Sequence, residues 1–104
     1  MTYRVELTER ANRDLRRIFQ YINADSSPQA SVWFNALEAA ILSLDQHPER
    51  SPVPPENRAL RHLLFGKKPN IYRIIFMIDR RAQIGSVLHI RRGARRPLQR
   101  WRPG

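Results

Sequence analysis

The sequence contains no cysteine, which excludes a disulfide framework, a thiolate metal site and a cysteine nucleophile. Glycine occurs only four times, with no GxxxxGK or GxGxxG stretch, so the loops that cradle nucleotide phosphates are absent. Long apolar runs are missing as well: the best is Ile74-Ile75-Phe76-Met77-Ile78, far short of a bilayer span. The start, Met1 to Leu7, has neither the basic nor the apolar stretch of a secretory signal, so a cytoplasmic protein with no membrane partner is expected. The three histidines, His47, His62 and His89, fall in a helix terminus and two different strands without ligand spacing, so no metal and no cofactor is expected. Ser86 lacks a GxSxG context, and Glu6, Glu9, Asp14, Glu38 and Asp45 read as solvated faces and helix ion pairs rather than a paired-carboxylate site.

Charge of one sign is abundant. The 104 residues carry a formal charge of +10, and the excess lies entirely in one half. Residues 1–56 hold six Arg against eight acids; residues 57–104 hold thirteen Lys and Arg against Asp79 alone. Only Lys67 and Lys68 are lysines, so this half favours planar, bidentate recognition of phosphate or carboxylate. A solubilising basic surface is the plainer alternative.

The pattern of apolar residues predicts one α+β domain over residues 1–96, followed by a short, basic, mobile tail at 97–104. Tyr3, Val5 and Leu7 alternate as in a strand. Thr8 then caps a helix over about residues 9–24, in which Ala11, Leu15, Ile18, Phe19 and Ile22 form the apolar stripe. Ser27 caps a second helix, with Pro28 at its first position and Ala30, Trp33, Phe34, Leu37, Ile41 and Leu44 as its stripe, closed by His47-Pro48. So short a connection predicts a helical hairpin. A proline-rich loop over 48–58 leads to strands at 60–65, 71–78 and 84–92. The order β-α-α-β-β-β predicts two layers, a helical hairpin on a mostly antiparallel four-stranded sheet, with the 71–78 strand central because both its faces are apolar. Whether the first strand pairs parallel or antiparallel is left open. The uncovered sheet face is expected to carry Arg73, His89 and Arg91 with some of Ile75, Met77 and Val87.

Arg61, His62, Arg73, His89, Arg91, Arg92 and Arg95 therefore form the constellation with chemical potential. Cations and a histidine can bind phosphate, and they can also cleave RNA by in-line attack of a ribose 2′-OH without metal. The ordinary alternative for His89 is a strand histidine making one structural hydrogen bond.

Tyr3-Arg4-Val5-Glu6-Leu7-Thr8, Asp14-Leu15, Ile18 to Ile22, Leu44 to Pro48, Leu60-Arg61, Tyr72 to Phe76 and Val87 to Arg95, taken in order, resemble the RelE/ParE superfamily of type II toxins. The resemblance covers nearly all of residues 3–96. It implies a toxin neutralised by direct binding of a cognate acidic antitoxin in a hetero-oligomer. RelE-like members cut mRNA on the ribosome and ParE-like members poison DNA gyrase. The long hairpin, the proline-rich connection and the Arg91-Arg92-Gly93-Ala94-Arg95 ending look ParE-like, although ParE members usually carry His-Gly where Arg92-Gly93 stands. Against nuclease chemistry, residues 60–64 lack the lysines of RelE-like nucleases, and Trp101 stands nearest the position of their catalytic Tyr. The resemblance implies a gyrase poison with Arg61, Arg73, Arg91, Arg92 and Arg95 as the target-binding set and Trp33, Ile75 and Met77 as antitoxin contacts. The alternatives are a ribosome-dependent endoribonuclease using Arg73, His89 and Arg95, and a small basic nucleic-acid-binding module.

Overall fold

A computed structural model describes residues 2–54, 57–67 and 70–93. Arg95, Trp101 and the tail expected at 97–104 lie outside the described residues. The elements are β1 (Arg4–Leu7), α1 (Glu9–Tyr21), α2 (Pro28–Leu42), two 3-10 turns (Ser43–Asp45 and Pro48–Arg50), β2 (Arg61–Lys67), β3 (Asn70–Asp79) and β4 (Ile84–Arg92). The sheet order is β1-β4-β3-β2. β1 lies parallel to β4, with Arg4 opposite Ile84 and Leu7 opposite Val87, and the other two pairings are antiparallel.

Local chemistry explains the ends. Thr8 and Ser27 cap the two helices, their side chains accepting the N–H of Ala11 at 3.1 Å and of Ala30 at 3.3 Å. α1 ends at Tyr21 rather than near residue 24 because Asn23 takes a left-handed φ of 55°, and the N–H of Ala24 returns to the Phe19 carbonyl at 3.1 Å. α2 gives way to a 3-10 turn after Leu42, where the Ser43 hydroxyl bonds the Ala40 carbonyl instead of continuing the helix. β2 runs on to Lys67, so the strand expected to be free of lysine contains one at its end.

The core lies between the helices and one sheet face. Ala11 and Ile18 of α1 and Phe34, Leu37 and Ile41 of α2 pack with Leu44, Tyr72, Ile74, Phe76, Val87 and Ile90. The helices meet through an edge-to-face contact of Phe19 and Phe34, 5.1 Å between centroids. Among the described residues no helix is long and apolar enough to cross a membrane.

The register shifts between Ile75 and Phe76: His89 faces Ile75 but Val87 faces Phe76, leaving Leu88 as the extra residue of a β-bulge. An insertion of one residue changes which side chains share a face. Val87, expected on the uncovered face, is therefore fully buried in the core together with Ile90. The far face is also less open than expected, since Ile75 is 2% and Arg73 6% exposed, while Met77 keeps 42%.

Candidate functional site

β1 stops opposite Val87 while β4 continues to Arg92, so the second half of β4 presents backbone groups with no strand beside them. Thr8 and α1 meet that need. The N–H of Thr8 reaches the Val87 carbonyl at 2.9 Å and its hydroxyl donates to the Leu88 carbonyl at 3.0 Å. One turn into α1, a single carboxylate oxygen of Asp14 accepts the Ile90 N–H at 3.0 Å and lies 2.9 Å from His89 Nδ1. With Nδ1 placed on Asp14, Nε2 faces Arg10 Nη2 at 3.5 Å. The side chains of His89 and Asp14 are 13% and 12% exposed. Asp14 is thus no solvated-face residue, and His89 is held against α1 rather than displayed on the far face.

The cations predicted as one target-binding set divide among three places. Arg73 and Arg91 stand directly opposite each other on β3 and β4 and share the far face. Arg73 is buried and Arg91 partly exposed, so Arg91 is the member of the pair that faces solvent. Arg92, the next residue on β4, projects to the helical side. It donates to the Tyr21 hydroxyl at 3.2 Å and to Asn70 Oδ1 at 2.6 Å, with its guanidinium 5.9 Å from the centre of the Tyr21 ring. There it helps line a cleft of about 370 Å³ with Arg17, Ile18, Tyr21 and Tyr72. Arg61 lies at the start of β2, its Nη1 donating at 2.9 Å to the carbonyls of both Glu49 and Ser51, and so ties the proline-rich connection to the sheet.

Of the residues expected to meet an antitoxin, Met77 is exposed and Ile75 is buried. Trp33 is half-buried between Phe65 and Tyr72, at centroid distances of 5.3 and 5.4 Å. Burial raises the pKa of the Tyr72 phenol above its ordinary value, and that of Tyr3 is raised chiefly by the hydrogen bond it donates to Glu49 Oε1 at 2.6 Å. No group of three or more potential metal ligands occurs among the described residues. The Asp14 anchor escaped sequence reasoning because an acid amid arginines on an amphipathic helix has the same signature as a surface ion pair. Its place six residues after Thr8, where the first strand has ended, was the available signal.

Known proteins share this fold. Solved structures with the same fold include the chromosomal ParDE toxin–antitoxin system of P. aeruginosa, at TM-score 0.69 and 19% identity, covering 88% of this chain and 96% of that one. The toxin–antitoxin complex RelBE2 of Mycobacterium tuberculosis aligns at TM-score 0.62 and 20% identity, covering 90% of this chain and 94% of that one. A free-state arginine variant of the E. coli toxin RelE aligns at TM-score 0.64 and 13% identity, covering 98% of this chain and all of that one. No curated protein sequence matches the chain. The family described as the ParE toxin of the type II toxin–antitoxin system parDE matches residues 5–97, from the second residue of β1 to beyond the end of β4. A match spanning the whole two-layer unit, joined to a fold shared with both ParDE and RelBE structures, places the chain in the ParE toxin family of type II toxin–antitoxin systems.

Proposed function

We propose that this toxin arrests growth by acting on DNA gyrase and that a cognate acidic antitoxin neutralises it by direct binding. The observation that carries the choice of target is the state of His89. A nuclease using Arg73, His89 and Arg95 needs an imidazole that can reach a ribose hydroxyl. Here the ring is largely buried, with Nδ1 on Asp14 and Nε2 toward Arg10, an arrangement suited to fastening β4 to α1. Membership of the ParE family supports the same reading. The antitoxin partner is supported by the neighbours solved as toxin–antitoxin complexes and by the strongly basic second half, which steers an acidic segment toward the chain.

Induced expression tests both parts. A gyrase poison gives filamentation and a DNA damage response, relieved when a short acidic protein encoded beside it is co-expressed. His89→Gln, if folded, should then retain its toxicity. Rapid translation arrest with ribosome-phased mRNA cuts, lost in His89→Gln, would instead establish the endoribonuclease.

A further inference from the structure

At the opposite end of the sheet from the Arg92 cleft, the turn at residues 57–60, the start of β2 and the end of β3 enclose a concavity of about 480 Å³ lined by Arg58, Ala59, Arg61, Met77, Ile78, Asp79 and Arg80. Its walls are fixed by local hydrogen bonds. Asn57 Oδ1 accepts the Ala59 N–H at 2.9 Å, Asp79 Oδ1 accepts the Ala82 N–H at 3.0 Å, and Arg61 is held by two carbonyls. Of the described carboxylates on these segments, Asp79 accepts a hydrogen bond within its own turn and Glu49 accepts one from the Tyr3 hydroxyl. Arg58 and Arg80 are exposed and make no hydrogen bond or ion pair among the described residues. Arg81 follows Arg80 in the β3–β4 turn, and Arg50 follows Glu49, whose carbonyl holds Arg61.

We propose that this end of the sheet is a nucleic-acid backbone site, with a phosphate seated between Arg58, Arg61 and Arg80 and the adjoining phosphates running past Arg81 and Arg50. Guanidiniums match phosphate oxygens bidentately, and a concave wall concentrates their field. Three guanidiniums line the concavity against the single carboxylate of Asp79, and Arg81 and Arg50 adjoin its flanking segments in the chain, which favours a repeating polyanion over an acidic side chain. The contact requires no base readout, so it would be indifferent to sequence. It also stands apart from the toxin reading, since it depends on neither the antitoxin nor the growth target.

The test is fluorescence anisotropy of the full chain with a short labelled DNA duplex and a labelled single-stranded RNA over a salt series. The double variant Arg58→Gln/Arg80→Gln is compared with Arg13→Gln/Arg16→Gln, which removes the same charge from the exposed side of α1. Both pairs are exposed, so unchanged melting temperatures are expected. Loss of two phosphate contacts should weaken binding about tenfold or more and flatten the slope of log K against log salt by about 2, while the α1 variant stays near the parent. Equal losses in both variants would reduce the effect to net charge and overturn the site. So would undiminished binding in the Arg58/Arg80 variant, or a parent that binds a poly-glutamate peptide but neither nucleic acid.

Discussion

The two helices cover the same sheet by different means. α2 has Glu38 as its single charged residue and is held by Phe34, Leu37 and Ile41 in the core and by Trp33 against Phe65 and Tyr72. α1 buries only Ala11 and Ile18 fully, carries Arg10, Arg13, Arg16 and Arg17, and has the strand-edge backbone of β4 fastened to it by Thr8 just before it and Asp14 within it. One helix is held by packing and the other is hooked. Packing yields gradually to substitution; a hook that satisfies buried strand-edge groups leaves them without partners when it is cut. The contrast also bears on function, because the hooked helix holds His89, the histidine that the nuclease alternative would use.

Breaking the packed side should have the largest effect. Leu37 is fully buried, so Leu37→Ala should destabilise by about 2–5 kcal/mol through the cavity it leaves, measured as a lower urea midpoint at unchanged slope. Parental stability in that variant would remove α2 from the core. Cutting the hook should come next. Asp14→Ala leaves the Ile90 N–H and His89 Nδ1 without their acceptor, a loss of about 1–3 kcal/mol, with faster hydrogen exchange at the Ile90 amide as its local signature.

The two N-caps sharpen the comparison further. Ser27→Ala removes one cap bond and should cost about 1 kcal/mol. Thr8→Ala removes the equivalent bond together with the donor to the Leu88 carbonyl, so it should cost about 1 kcal/mol more. Equal losses at the two positions would show that the tie from Thr8 to β4 adds nothing. The smallest effect lies at high pH. Tyr72 has a raised pKa, so the folded state keeps its proton where the unfolded chain would lose it. That contribution to stability is complete below the ordinary tyrosine pKa of about 10 and is lost as pH rises through the folded value. Ultraviolet titration should show two phenols, Tyr3 and Tyr72, ionising late, and Tyr72→Phe should remove one of them.

Much of the fold was legible in the sequence because its signals are local. Thr8, Ser27 and Pro28 mark helix starts, alternation marks the first strand and a continuous apolar run the central one, with β4 running to Arg92 as expected. The features that sequence did not reveal depend on contacts between distant residues. Nothing in residues 3–7 encodes whether they pair parallel or antiparallel, since the choice follows from where the two helices return the chain. The bulge at Leu88 is equally silent, and it undid the assignment of faces: by alternation alone Val87, His89 and Arg91 share a side, yet Val87 is in the core and His89 is tied to α1. The candidate site was legible as a list of cations but not as an arrangement, because Arg91 and Arg92 project to opposite faces and Arg61 has one nitrogen, Nη1, engaged by two carbonyls at the far end of the sheet.

The central claim concerns the target, and purified components test it most directly. The chain, incubated with DNA gyrase, ATP and supercoiled plasmid, should accumulate cleaved plasmid covalently attached to the gyrase, and prior addition of the cognate antitoxin should abolish the cleavage. An intact plasmid, together with mRNA cut at codon-phased positions when the same preparation is added to translating ribosomes, would contradict the account.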